Sequence, residues 1–118
     1  SGSVTATLTG VSGAVTGTVT IRRTGTKIAI YVPTTISGTS NATSMTLTNL
    51  GTLCLSNGGV VMTRVLDNGV VVLGTALLGV SSISFGVGAA GGNFTGSGTK
   101  GIQGGTLMVF DTDLVGVA

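Results

Sequence analysis

Between Ala14 and Pro33 the chain reads AVTGTVTIRRTGTKIAIYVP, and its side chains alternate between apolar and polar almost residue by residue. Val15, Gly17, Val19 and Ile21 fall on one face and Thr16, Thr18, Thr20 and Arg22 on the other, the period-two pattern of a half-buried strand. Ile28, Ile30 and Val32 repeat it against Lys27, Ala29 and Tyr31. Arg23-Thr24-Gly25-Thr26 lies between the halves and supplies a glycine where a tight turn needs positive φ, so the stretch predicts a β-hairpin. Pro33 has no amide proton for a ladder and is expected to end the second strand or put it at an edge.

The same pattern recurs along the chain. Val4 to Thr9 alternates Val4, Ala6 and Leu8 with threonines, and Thr34 to Thr43 reads as a polar loop. A strand follows from Met45 to Leu50, Thr52 to Ser56 is expected to continue the sheet, and Asn57-Gly58-Gly59 to turn it. Val60 to Leu66 and Val70 to Leu73 flank Asp67-Asn68-Gly69, the strongest short hairpin signal present. Their nearly continuous aliphatic runs imply burial on both faces, within a sandwich or between subunits. Thr75 to Gly79 reads either way, Ser81 to Phe85 alternates, Val87 to Gly92 is a flexible connection, and Gly98 to Ile102 is turn-rich before a closing strand from Thr106 to Phe110. About ten short strands at intervals of roughly ten residues predict an all-β fold without substantial helix, an antiparallel β-sandwich of jelly-roll type. Residues 1–118 form one domain, long enough to bury roughly two thirds of its unfolded surface in one core. With 3% aromatic residues and no Trp, that core must be built from Val, Ile and Leu. Ser1-Gly2-Ser3 reads as a cloning scar on a fragment of something longer.

Charged residues make up only 7% of the chain and the mean hydropathy is +0.67, well short of the surface charge of a small soluble monomer. Gly69 to Gly88 is long enough for the roughly twenty residues of a membrane helix. Its glycines and serines cut it into strand-length pieces and no basic or aromatic flank anchors it, so strands and no membrane insertion are expected. The apolar excess is assigned instead to contact between copies of the chain. Five basic residues spread along the sequence, Arg22-Arg23 apart, form no nucleic-acid-binding stripe, and that pair reads as a solvated hairpin end.

The chain holds no histidine, one cysteine and three carboxylates, which argues against an enzyme. Cys54 has no imidazole to activate it and reads as a small hydrophobe in a strand. Asp67 sits in a turn and Asp111 and Asp113 near the C-terminus, which does not suit the facing pair of a glycosidase. Asp111-Thr112-Asp113 offers too few ligands for calcium, and Gly96-Ser97-Gly98-Thr99-Lys100 lacks the spacing of a phosphate loop. No metal or cofactor is expected. Asn41-Ala42-Thr43 and Asn93-Phe94-Thr95 match the glycosylation sequon, which is common by chance, and the Thr-x-Thr pieces lack the solenoid period of an ice-binding face.

Three pieces together resemble the small β-rich C-terminal domains of bacteriophage tail fibres and tail receptor-binding proteins. They are TVTIRRTGTKIAIYVP from Thr18 to Pro33, GTSNATSMTLTNL from Gly38 to Leu50, and SGTKGI from Ser97 to Ile102. Gly51-Thr52-Leu53 stands where the family usually has a proline, and the closing strand lacks the tyrosine often found there. The resemblance implies a homotrimer at the extracellular end of a virion's tail, attaching it to a host surface glycan or protein. A purely structural trimerising cap is the alternative. Loops on a rigid scaffold are free to carry recognition groups. Ser37 to Ser44 and Asn93 to Lys100 are richest in them, which nominates Asn41, Asn93 and Lys100 as receptor contacts.

Overall fold

Nine strands are present in the computed structural model, which describes residues 2–13, 15–56 and 58–116. Ser1, Ala14 and Asn57, which figure in the readings of the N-terminus, the hairpin and the 57–59 turn, lie outside the described residues. The strands are β1 (Gly2–Thr9), β2 (Val15–Val32), β3 (Ile36–Thr39), β4 (Met45–Thr48), β5 (Val60–Asp67), β6 (Val70–Leu78), β7 (Ile83–Val87), β8 (Thr99–Ile102) and β9 (Thr106–Gly116). All ladders are antiparallel, and the described residues include no helix. The order β3-β8-β5-β6-β7-β4-β1-β2-β9 is one continuous sheet. It curls so that strands near its two ends approach each other. The Ile36 side chain of β3 fills the space over Gly17 of β2, and the Gly59 amide donates to the Asp111 carbonyl of β9 at 3.4 Å. The result is a half-barrel whose two sides enclose one core, as a sandwich would.

The core is aliphatic, as the composition requires. Leu8, Val19, Ile28, Ile30, Leu47 and Ile83 are each at most 2% exposed, joined by Phe110 from β9. Burying a side chain of this kind is worth about 1.5–3 kcal/mol.

The stretch from Val15 to Val32 is not a hairpin but one long strand. Its first half pairs with β1 and its second half with β9, so neither half is available to pair with the other. Gly25, at φ 59, makes a bulge at which the β9 register shifts between Gly25 and Lys27. Buried positions are odd-numbered before it (Val19, Ile21) and even-numbered after it (Ile28, Ile30, Val32). A one-residue slip would turn every later side chain outward; the bulge absorbs it and keeps both halves facing the core.

Elsewhere the structure departs from the expected strand limits. The expected 34–43 loop contains β3, which pairs with β8 from Ile36↔Ile102 to Thr39↔Thr99, so the turn-rich 98–102 segment is also a strand. Thr52 to Ser56 is a loop rather than a strand. Arg23 donates to the Thr52 carbonyl and to that of Leu53 at 3.3 Å, and the Leu53 amide donates to Val80 at 2.6 Å, which replaces a ladder with point anchors. β6 runs on to Leu78 and β9 to Gly116, further than alternation alone marks. The β5–β6 turn follows its signal. Asp67 pairs with Val70, and Asn68 and Gly69 both have positive φ, 51° and 79°.

Candidate functional site

The two loops singled out in the sequence come together at one end of the half-barrel. The Phe94 amide donates to the Thr43 carbonyl at 2.9 Å, and the Ser40 amide to Gly98 at 2.7 Å. The Ser40 hydroxyl donates to the Thr95 carbonyl at 2.8 Å, and the Asn41 amide to Gly10 at 3.1 Å. The β5–β6 turn joins them, because Asp67 accepts from the Thr95 amide at 2.8 Å and from its hydroxyl at 3.2 Å, while the Gly69 amide donates to Thr99 at 2.9 Å.

Asn41 and Asn93 are exposed on these joined loops, where their side-chain amides offer both donors and acceptors to solvent. Lys100 is not. It is 0% exposed, and its ammonium donates to the carbonyls of Ala42 at 2.9 Å and Ser44 at 2.6 Å and lies 5.5 Å from the centre of the Phe94 ring. Its β8 position faces the core side of the sheet, so the flexible stem runs inward and the head caps loop carbonyls that no ladder satisfies. Desolvation lowers the Lys100 pKa from the usual lysine value, and the Asp67 carboxylate partly offsets this. The expectation of Lys100 as a receptor contact is therefore corrected to that of a clamp that shapes the loop carrying Asn41.

The remaining groups of interest serve structure. Arg22 is exposed, but Arg23 is half-buried against the 52–53 carbonyls and is not a solvated hairpin end. Cys54 is fully buried, as a small hydrophobe would be, though in a loop; its thiol donates to the Gly79 carbonyl at 3.0 Å, and burial raises its pKa. Asp113 accepts from the Leu55 amide at 2.6 Å, the Ser56 amide at 3.1 Å and the Ser56 hydroxyl at 2.8 Å, and the bond from Leu55 leads in holding its carboxyl below the usual range. Asp111 forms an exposed ion pair with Lys27. Among the described residues no three His, Cys, Asp or Glu side chains gather as metal ligands, and no helix is long and apolar enough to cross a membrane.

The other distinctive region is the outside of the sheet. On β5 and β6 the cross-strand pairs Val60↔Leu77 and Arg64↔Leu73 point outward, with Met62 between them. On β2 and β9 the pair Tyr31↔Leu107 and, beside it, Val109 opposite Ala29 do the same. The buried-on-both-faces reading of the aliphatic runs thus holds within the chain for one face only: Thr63 and Val65 face the core while Val60, Met62, Val71 and Leu73 are left uncovered by the chain itself. Sequence reasoning marked β5 and β6 by their unbroken aliphatic runs, but Leu107 and Val109 were hidden in a short closing strand.

No protein-family model, curated protein or solved structure matches the chain.

Proposed function

We propose that the chain is a non-enzymatic, homotrimeric tip domain of a phage tail fibre, which attaches the virion to a glycan or protein on the host surface. The uncovered aliphatic outer face carries this reading, because apolar patches of such extent on a small domain mark a surface built to meet another molecule. The three segments that resemble phage tail-fibre tips support the viral part. The loop end supports the adhesive part: it is held by backbone bonds and by Lys100 while Asn41 and Asn93 stay exposed, and in a trimer each would be presented three times, so weak contacts would add through avidity.

The internal use of Lys100, Ser40 and Thr95 favours a second reading, a structural trimeric cap whose loop end only closes the barrel. Adsorption of the labelled protein to bacterial host cells separates the two. The adhesive reading expects saturable binding that Asn41→Ala with Asn93→Ala weakens at least several-fold in a folded trimer. Binding indistinguishable from background would favour the cap, and saturable binding unaffected by the double variant would place the receptor contact away from Asn41 and Asn93.

A further inference from the structure

A flat strand rises about 3.3 Å per residue, so Thr20 and Tyr31 on β2 would stand roughly 36 Å apart if that strand were straight. Both nevertheless line one groove of about 400 Å³, together with Arg22, Ala29 and Leu107. β2 therefore bends at its Gly25 bulge, where the register with β9 shifts between Gly25 and Lys27, until outward residues of both halves surround one space. Bulges bend a strand and re-aim its side chains, and they recur beside active sites for that reason. Val60, Met62, Leu73 and Leu77 on β5 and β6 lie outside this groove and stay available for contact between copies.

Ala29, Leu107 and the Tyr31 ring give the groove an apolar lining, and three polar groups join it. The Thr20 hydroxyl and the Tyr31 phenol can each donate and accept, and the Arg22 guanidinium presents a fork of N–H donors that matches a carboxylate. Tyr31 is 41% exposed and Arg22 is exposed, so both are open to a ligand. Apolar lining with a few polar groups, in this volume, is the usual make-up of a small-ligand site. Among the described residues no carboxylate pairs with Arg22. The chain has three acidic side chains, and all are engaged: Asp111 with Lys27, Asp67 with Thr95, and Asp113 with Leu55 and Ser56. A second copy laid on the groove would thus bring Arg22 no uncommitted carboxylate, and the anion that fits belongs to a different molecule.

We propose that the groove at the β2 bend binds a carboxylate-bearing sugar unit, with Arg22 on the carboxylate and the Tyr31 ring against one face of the sugar. A hexuronic acid carries the matching set of groups: an anion for Arg22, the C–H face of a ring for Tyr31 and Leu107, and hydroxyls for Thr20 and the Tyr31 phenol. A neutral sugar would leave Arg22 without a partner, and a hydrocarbon chain would leave the hydroxyls without one. Single-stranded nucleic acid is held by several stacking aromatics in succession, and this groove supplies one. The site uses neither Asn41 nor Asn93. It rests on the reading of the chain as a glycan-binding tip and names the chemistry of one glycan unit.

The test is calorimetric titration of the 118-residue chain at neutral pH with tetragalacturonate and with its methyl ester, which keeps the rings and most hydroxyls and removes the charge. Saturable binding of tetragalacturonate is expected, weaker by about tenfold or more for the ester and for Arg22→Gln, the loss of one charge-assisted contact. Tyr31→Leu is expected to weaken it several-fold, and Arg64→Gln, a cation outside the groove, to leave it unchanged. Circular dichroism checks that the variants are folded, and the ester comparison needs no variant. Absence of binding, or equal binding of the ester, would overturn the proposal. An equal loss in Arg64→Gln would overturn it too, because general attraction of a polyanion to a chain of net charge +2 would then explain the binding. Tighter binding of single-stranded oligothymidylate would assign the groove to nucleic acid and overturn the sugar site. Tetragalacturonate binding without adsorption to bacterial cells would support the groove and refute the adhesive tip; adsorption without tetragalacturonate binding would overturn the groove alone.

Discussion

Two parts of the outer surface are backed by the same core and differ in what they show to solvent. Across β1, β4 and the first half of β2 the outward pairs are threonines: Thr5↔Thr18, Thr7↔Thr16, Thr7↔Thr48 and Thr9↔Thr46. Several of their hydroxyls close on neighbouring carbonyls, Thr48 on Thr7 and Thr9 on Thr46, both at 3.1 Å. Across β5, β6, β9 and the second half of β2 the outward residues include Val60, Met62, Leu73, Leu77, Tyr31, Leu107 and Val109, beside the charged Arg64, Lys27 and Asp111. Both regions have β-branched or bulky side chains suited to a pleat, so strand formation does not distinguish them. The inner face decides the fold; the outer face decides whether water or another molecule covers the sheet.

That contrast is broken most sharply by putting one charge on each face. Leu73→Asp is expected to move the chain from trimer to monomer in light scattering, whereas Thr18→Asp leaves its mass unchanged. Equal effects at the two positions would erase the distinction between the faces.

A smaller effect is expected at the turn that holds the aliphatic β5–β6 flank in register. Gly69 has φ 79 and open space where a side chain would go, so Gly69→Val should cost about 1–3 kcal/mol from backbone strain alone. Thermal unfolding measures it, and an unchanged midpoint would show that the turn does not constrain the flank.

Acid acts at the 52–56 loop. The Asp113 pKa is depressed in the fold, so the stability its carboxylate contributes is present above the ordinary carboxylate range and is lost as pH falls through the lowered folded value. Asp113→Asn should therefore lower the melting temperature at neutral pH and converge with the unmodified chain in acid. A difference that persists at low pH would show that charge is not what holds Leu55 and Ser56.

The smallest change is inside the aliphatic flank. Among the described residues, the Thr63 hydroxyl is the buried side-chain oxygen without a hydrogen-bond partner. Thr63→Val is expected to be neutral or to stabilise by up to about 1 kcal/mol, because it removes an unsatisfied polar group without changing shape; a clear loss in thermal unfolding would reveal a partner for that oxygen.

Much of this organisation was legible in the residues. Alternation marked β1, both halves of β2, β4 and β7, and Asp67-Asn68-Gly69 marked its hairpin. The phase change between Ile21 and Ile28 was visible too, but a turn and a bulge both use glycine at positive φ, and only the partners of each half tell them apart. β3 and β8 were hidden because four-residue strands rich in Ser, Thr and Gly carry too few apolar positions to show a period. At the loop end, the two loops richest in polar groups are ones that the fold joins by hydrogen bonds, Phe94 to Thr43 and Ser40 to Thr95. Their polar density could not show that Lys100 turns inward, because that depends on which face of β8 meets the core and on orphaned carbonyls supplied by residues more than fifty positions away. The aliphatic runs of β5 and β6 announced two covered faces, and the chain alone covers one.

The central claim is that the second face is covered by further copies of the chain. Light scattering of the unmodified protein at micromolar concentration tests it most directly. The account predicts a single species of three times the 11.4 kDa chain mass; a monodisperse species at 11.4 kDa would contradict it.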